Sequence, residues 1–353
     1  MNTTRRWLTH LSAFFFVLFM AFGLTSYADN GMKVHFLNVG QADSTLITCG
    51  EHAMLIDAGN NDDAEPILNY IQNKAGLTHL DYAIGTHPHE DHIGSLDSVL
   101  ETVSVDTVML PNVTANTQTF RDVLNVIDEK GLSITIPEVG DTYTLGDASF
   151  TILGPVSDYG DDLNNWSIAL KLTYGNVSFL FTGDAESTAE SDMLNTGLDL
   201  GADVYQVGHH GSRTSSSSAF LDAVAPKYAV ISCGAGNDYG HPHQETLDAL
   251  SSRGIEIYRT DLQGSIVAST DGSSIFFTTA FGNDSSSSAS DGQGTDRSAG
   301  AVSDDSSYSQ DNTASGDDPI VHITKTGEKY HSAGCRYLKK SDIEVTLSEA
   351  KAR

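Results

Sequence analysis

Residues 86–94, "THPHEDHIG", hold three histidines and two acids within six consecutive positions, His87 to His92. They follow the apolar run "DYAIG", which reads as a strand. In extended chain His87 and His89 fall on one side, because side chains alternate with period two. Asp91 and His92 come next, where the chain turns into a helix. One short loop thus offers two ligand pairs, His87/His89 and Asp91/His92. Imidazole suits Zn, Fe and Mn, and a carboxylate suits harder ions or bridges two. A polar helix-entry loop capped by Asp91 would use the same residues, but so dense a set of metal-ligating types is rare without a metal.

The other residues fit for chemistry stand at the ends of apolar runs. Asp57 closes "LIDAG" and Asp184 closes "FLFTGD". His209 and His210 sit in "VGHHGS", and His241 in "YGHPH", where Pro242 stiffens the loop. Taken alone, Asp57 reads equally as a turn cap, and "TGD" as a plain turn. Ser212 and Arg213, just past the histidine pair, are candidates to grip a phosphate oxygen, Arg213 through its bidentate fork. A serine-rich turn with an incidental arginine explains them as well.

Elements must position these residues. "KVHFLNV", "STLITC" and "AMLIDAG" read as successive strands, as do "SFTILGP", "SIALKLTYG", "VSFLFTGD", "DVYQVGHHGS" and "YAVISCG". Helical spacing appears at 62–75, 91–102, 117–130, 185–195 and 243–253. "SIVASTDGSSIFFTT" reads as a closing hairpin. Strands broken by helices predict an α/β domain over 32–280, with helices packed outside sheets.

The flanks differ. Residues 1–28 combine Arg5 and Arg6, an apolar stretch from Leu11 to Leu24, and "SYA" before Asp29. This predicts a secretory signal peptide cleaved near Ala28. The apolar stretch is short of the roughly 20 residues needed to span a bilayer, so no stable membrane span is expected after cleavage. A secreted or cell-surface protein follows. Residues 281–318 are dominated by Ser, Gly and Asp, which predicts a flexible acidic linker. Residues 319–353 form a short patch, too small for an ordinary core. There His331 and Cys335 supply two of the four ligands a structural zinc needs.

The 353-residue chain carries a formal charge of −28 and only three cysteines. The charge argues against tight, non-specific grip on a polyanion. The cysteine count excludes a disulfide scaffold, so Cys49 and Cys233 are expected as buried free thiols.

The ordered set "FLNVGQADSTLI", "LIDAG", "THPHEDHIG", "FLFTGD", "VGHHGS" and "YGHPH" resembles the metallo-β-lactamase superfamily, and within it the ComEC-like hydrolase domain of DNA-uptake channel proteins and its free-standing secreted relatives. The resemblance covers about Lys33 to Thr279. It implies a four-layer αββα metallo-β-lactamase sandwich whose metal site lies where strand-end loops converge. It implies one or two divalent ions, Zn or Mn, held by His87, His89, Asp91, His92, Asp184, His209 and His241. It also implies that Asp57 orients the ligands and that Asp184 bridges. Asp91, from within the ligand set, and His210, as a substrate or transition-state contact, are the catalytic candidates. His209 is expected to ligate. Such ions activate water at neutral pH and stabilise a developing oxyanion.

One departure from the family pattern matters. No histidine lies between His92 and His209, the region that ordinarily gives a third histidine to the first metal. "NNWS" falls near that place, with Asn165 as a weak ligand or substrate contact. The departure favours an exported phosphodiesterase or nuclease, its phosphodiester substrate being nucleic acid or a cell-wall polymer. Hydrolysis of a β-lactam, lactone or thioester is the second expectation, and a non-catalytic surface binding module the third. No obligate protein partner is expected. The tail resembles small C-terminal modules of secreted bacterial hydrolases and is expected to be a truncated one.

Overall fold

The computed structural model describes residues 31–281 and, beyond them, the backbone of three short strands. The predicted signal peptide, the predicted linker and most of the predicted tail module lie outside the described residues.

The chain first builds strands β1 (Met32–Phe36), β2 (Thr45–Cys49), β3 (His52–Ile56), β4 (His79–Ile84), β5 (Ser104–Met109) and β6 (Ile134–Thr135). A second series follows: β7 (Thr142–Leu145), β8 (Ala148–Gly154), β9 (Ala169–Tyr174), β10 (Val177–Phe181), β11 (Val204–Gln206), β12 (Tyr228–Ile231) and β13 (Glu256–Arg259). The hairpin β14 (Ile266–Thr270) and β15 (Ile275–Thr279) then returns to the first sheet. The two sheets run β15-β14-β1-β2-β3-β4-β5-β6 and β13-β12-β11-β10-β9-β8-β7. The separate strands β16 (Ile320–Ile323), β17 (Tyr330–His331) and β18 (Ile343–Thr346) form a small sheet of order β17-β16-β18.

Alternation builds the layers. On β1, Met32, Val34 and Phe36 are fully buried between the sheets, where they join Phe150, Phe179 and Phe181 from the second sheet. Each such side chain contributes about 1.5–3 kcal/mol by leaving water. On β10, Leu180 points the other way, into a core shared with outer helices. Those helices are α5 (Ser187–Asn195), α6 (Ser218–Val224) and α7 (Gln244–Ser251). The first sheet is covered in the same manner by α1 (Ala64–Asn69), which runs on into a π-helical turn, by α3 (Leu96–Thr102) and by α4 (Gln118–Glu129). On α4, Phe120, Val123, Val126 and Ile127 face inward at helical spacing, and the Thr117 hydroxyl accepts the Phe120 N–H as its cap. The result is the expected αββα sandwich.

The predicted helix at 91–102 is two pieces, α2 (Glu90–Ile93) and α3. The chain bends at Gly94, where a Cβ would stand 2.2 Å from the Asn60 backbone. Only glycine permits that approach. It brings the loop after β3 and the loop after β4 together. Gly94 N–H donates to Gly59 O, and Ala58 N–H to His92 O.

Candidate metal centre

Strands β3, β4 and β5 run parallel, as do β10, β11, β12 and β13. Parallel strands leave their C-terminal ends at one edge of a sheet, where ligands bind in open α/β folds. Asp57 follows β3, the His87–His92 loop follows β4, Asp184 follows β10 and the histidine pair follows β11. The sheets are tied at this edge by Ile168 N–H donating to Thr86 O at 2.9 Å.

Asp57 is fully buried and left-handed, with φ of 61°. Aspartate tolerates that region better than most residues. Its carboxylate accepts from Thr86 N–H at 2.7 Å, the Thr86 hydroxyl at 2.8 Å and His92 Nδ1 at 2.8 Å. Burial raises its pKa overall, against the neighbouring His92. With Nδ1 occupied, His92 presents Nε2 to the interior.

Asp184 lies between two groups of imidazoles. Its Oδ1 is 3.2 Å from His92 Nε2 and 3.8 Å from His210 Nε2. Its Oδ2 is 3.9 Å from His87 Nε2 and 3.5 Å from His209 Nε2. His87 Nε2 is also 2.9 Å from His89 Nδ1. Asp91 Oδ2 lies 3.3 Å from His210 Nε2. Ligand atoms of Asp91, His92, Asp184 and His210 all fall within 4.8 Å of one another.

His92 Nε2, Asp184 Oδ1 and His210 Nε2 are buried with no hydrogen-bond partner. Each orphaned group costs about 1–3 kcal/mol. Three in one cluster, all of ligand type, fit a divalent cation that would satisfy them together.

The electrostatics agree. Burial disfavours the charged imidazoles, yet Asp184 and Asp57 raise His92, and Asp184 and Asp43 raise His210, well above the ordinary histidine value. Burial pushes Asp184 up, but His92 and His210 outweigh it and hold the carboxyl well below the usual range. Asp91 is likewise depressed against its burial, chiefly by its contact with His210.

Adjacent His209 and His210 diverge because both are left-handed, with φ of 52° and 53°. Both rings reach Asp184, at different oxygens. His210, expected at the substrate, is buried in the tight ligand cluster. Its Nδ1 donates to Ser232 O at 3.0 Å and lies 3.5 Å from Asp43 Oδ1. His209, expected to ligate, stands at the other oxygen of Asp184, with Nδ1 against Glu186 and the Thr214 hydroxyl.

The open space is a cleft of about 310 Å³ lined by Gln41, His89, Glu90, Asp91, Asn164, Asp184, His209, His210, Tyr239 and His241. His241 is at its rim, outside the compact cluster. Burial and the nearby His209 and His210 depress its pKa to about 4.

Three sequence candidates are placed elsewhere. Asn165 is buried with its oxygen accepting from Glu186 N–H and Ala189 N–H, holding the start of α5. Its neighbour Asn164 lines the cleft instead. Ser212 is buried against Thr214, and Arg213 is exposed beside Glu245 at 3.6 Å. Neither lines the cleft.

Two participants went unassigned in the sequence. Asp43, in the quoted "VGQADS", braces His210. Ser167, in "NNWS", meets His87 Nδ1 at 3.2 Å and accepts Asp184 N–H at 3.0 Å. Their signal was the motif itself, which carried no histidine to point to a role.

The sandwich and its clustered ligands define a protein class. Residues 37–235 match the metallo-beta-lactamase superfamily, and the chain belongs to it. It is 31% identical to ComE operon protein 3 of Bacillus subtilis (strain 168) over 267 residues, 71% of this chain and 34% of that protein. It is 29% identical to Competence protein ComA of Neisseria gonorrhoeae, across 70% of this chain and 34% of that protein. Recombination protein 2 of Haemophilus influenzae (strain ATCC 51907 / DSM 11121 / KW20 / Rd) is 30% identical, across 66% of this chain and 28% of that protein. The chain thus spans about a third of the length of these relatives.

Proposed function

We propose that this protein is an exported metal-dependent phosphodiesterase acting on nucleic acid. The observation that carries the reading is the two-sided environment of Asp184. One oxygen faces His92 and His210, and the other faces His87 and His209. A carboxylate with imidazoles at both of its oxygens would serve as a ligand to one or two divalent cations. His210, Asp91 and His92 would hold one, and His87 and His89 the other. His209 then stands where the histidine-free stretch left the first ion short of a ligand. Divalent ions there would supply an activated water and charge for a developing oxyanion.

The chain's own residues set the geometry. Asp57 fixes the His92 tautomer, and Ser232 O fixes that of His210. Glu186 orients His209. Such outer partners hold ligating rings in place.

Nucleic acid is favoured over a cell-wall polymer by the resemblance to DNA-uptake proteins and by a relative named Recombination protein 2. Export rests on Arg5, Arg6 and the apolar Leu11–Leu24 stretch. Among the described residues no helix is long and apolar enough to cross a membrane.

The test is hydrolysis of bis-nitrophenyl phosphate, single- and double-stranded DNA, RNA and phosphocholine esters with Mn²⁺ or Zn²⁺, beside a His89→Ala control. Metal-dependent cleavage of nucleic acid, lost in the control, is expected. Equal inertness of both proteins across all metals would overturn the enzyme reading. An exported protein should be recovered from the medium with its N-terminus near Asp29.

A further inference from the structure

Tyr239 is 68% exposed at the rim of the metal cleft. Exposure alone is ordinary for a single surface aromatic; its place on the cleft lining and the way it is held are what distinguish this ring. Its plane lies 22° from that of His241 at 5.6 Å, so one face is backed by imidazole. The Asn237 side chain braces the loop on both sides of the ring. Its oxygen accepts from Tyr239 N–H and His241 N–H, and its nitrogen donates to Gly234 O and His241 O. A braced ring with one covered and one open face is a stacking platform.

The rest of the lining says what would stack. Among the described residues no Lys or Arg borders the cleft, and Glu90 and Asp91 do. A polyanion is therefore not gripped by side-chain cations, and substrate affinity must come from elsewhere. Gln41 Nε2 and Asn164 Oδ1, on the same lining, are buried without hydrogen-bond partners. They offer a neutral donor and acceptor to a sugar or base edge. A single platform suits a flat ring. A quaternary ammonium is recognised by a cage of several aromatics, and among the described residues Tyr239 is the only Phe, Tyr or Trp in this lining.

We infer that Tyr239 is a specificity-determining residue that stacks the nucleobase beside the scissile phosphodiester. The inference rests on the phosphodiesterase reading above and adds the group that selects the substrate. It implies an unpaired base, since a base inside a duplex has both faces covered. Stacking of this kind contributes about 1–3 kcal/mol per base and tolerates any sequence.

The test uses the metal-loaded protein and short single-stranded oligonucleotides, intact or with one abasic site moved along the chain. Wild type should show a KM about tenfold higher when the abasic site falls next to the cleaved bond. In Tyr239→Ala that ratio should collapse toward one, and Tyr239→Phe should restore it. Stopped-flow quenching of 2-aminopurine before turnover should be present in wild type and Tyr239→Phe and weak in Tyr239→Ala. Circular dichroism and metal content exclude a folding defect. If wild type cleaves oligonucleotides but the ratio survives in Tyr239→Ala, the stacking role is wrong and the phosphodiesterase reading stands. If phosphocholine esters are cleaved in preference and Tyr239→Ala raises their KM, the platform serves a cation and the inference falls. If no phosphodiester is cleaved, both readings fall together.

Discussion

His92 Nδ1 and the Asp57 carboxylate lie 2.8 Å apart in a fully buried contact that fixes which nitrogen His92 turns to Asp184. Asp57 directly follows β3 and His92 lies in α2, at the end of the loop after β4, and the two strands are joined in parallel register with Ile56 opposite Ile84. Register between two strands thereby becomes ring orientation at the metal centre. Asp57 also holds Thr86, whose hydroxyl reaches His87 Nδ1 at 3.2 Å. One carboxylate organises both halves of the histidine loop.

Asp57→Asn keeps the shape and tolerates the left-handed backbone but loses the anionic acceptor. Metal affinity should fall about 10–100-fold, read by competition with a chromogenic chelator. Circular dichroism should stay native. Unchanged affinity would mean that the other packing of His92 suffices to orient it.

The charge state of the centre predicts a sign for its pH dependence. His92 and His210 are raised above the ordinary histidine value by the carboxylates around them. In the metal-free protein their contribution to stability is fully present below about pH 6.5, the unfolded value. It is lost as pH rises through the higher folded values. Metal replaces those protons. Metal affinity should therefore rise with pH, and calorimetry in buffers of different ionisation enthalpy should show proton release. Chelated protein should lose thermal stability above pH 6.5 while loaded protein does not. Proton uptake on binding would contradict the arrangement.

Much of this was legible in the sequence. The strands carrying Asp57, Asp184 and the histidine pair are apolar runs that end in a polar residue, a pattern that survives folding because the parallel strands are buried on both faces. What was not legible depends on local backbone. The sequence "HH" does not say that both residues are left-handed and so diverge, nor that each of them faces a different oxygen of Asp184. "NNWS" does not say which asparagine faces the cleft. Its 3₁₀ turn (Leu163–Trp166) buries Asn165 to cap α5 and leaves Asn164 outside. Strands β5, β6, β7 and β13 and helix α6 are not read from the sequence. β6, β7 and β13 have four residues or fewer, too short to show a period, and α6 hides in a serine-rich run that reads as loop.

Behind the histidine pair, buried Glu190 accepts from Ser216 N–H and Ser217 N–H, and Tyr205 OH accepts Gly208 N–H at 3.0 Å. Glu190→Ala would strand two backbone donors and leave a cavity. The loss should be about 3 kcal/mol in denaturant unfolding. Metal affinity should weaken with it, because the loop that carries His209 and His210 loses its support. A change under 1 kcal/mol would mean that water replaces the carboxylate at no cost.

His35 offers a second pH signature away from the metal. Burial, helped by Lys33, depresses its pKa to about 4, and its Nδ1 meets Tyr70 OH at 3.1 Å. Its folded value lies below its unfolded one. Its stabilising contribution is therefore present above about pH 6.5 and is lost as pH falls toward 4, by at most about 3 kcal/mol. His35→Gln should flatten that part of the stability curve in metal-loaded protein, followed by urea unfolding from pH 7 to 4.5. An unaltered slope would mean that other groups govern acid sensitivity.

The placement of Arg213 makes the last prediction a negative one. Its side chain is 61% exposed, lies 3.6 Å from Glu245 and is absent from the cleft lining. The chain as a whole carries −28. Each phosphate neutralised on a single strand would steepen the dependence of log affinity on log salt by about 0.7. With no arginine or lysine at the cleft among the described residues, that slope should be shallower than about −1, and Arg213→Ala should change KM less than about twofold. Fluorescence anisotropy of a labelled oligonucleotide between 50 and about 300 mM salt measures it directly. A steep slope that Arg213→Ala flattens would restore this residue as a phosphate contact and require the loop after the histidine pair to close over the cleft.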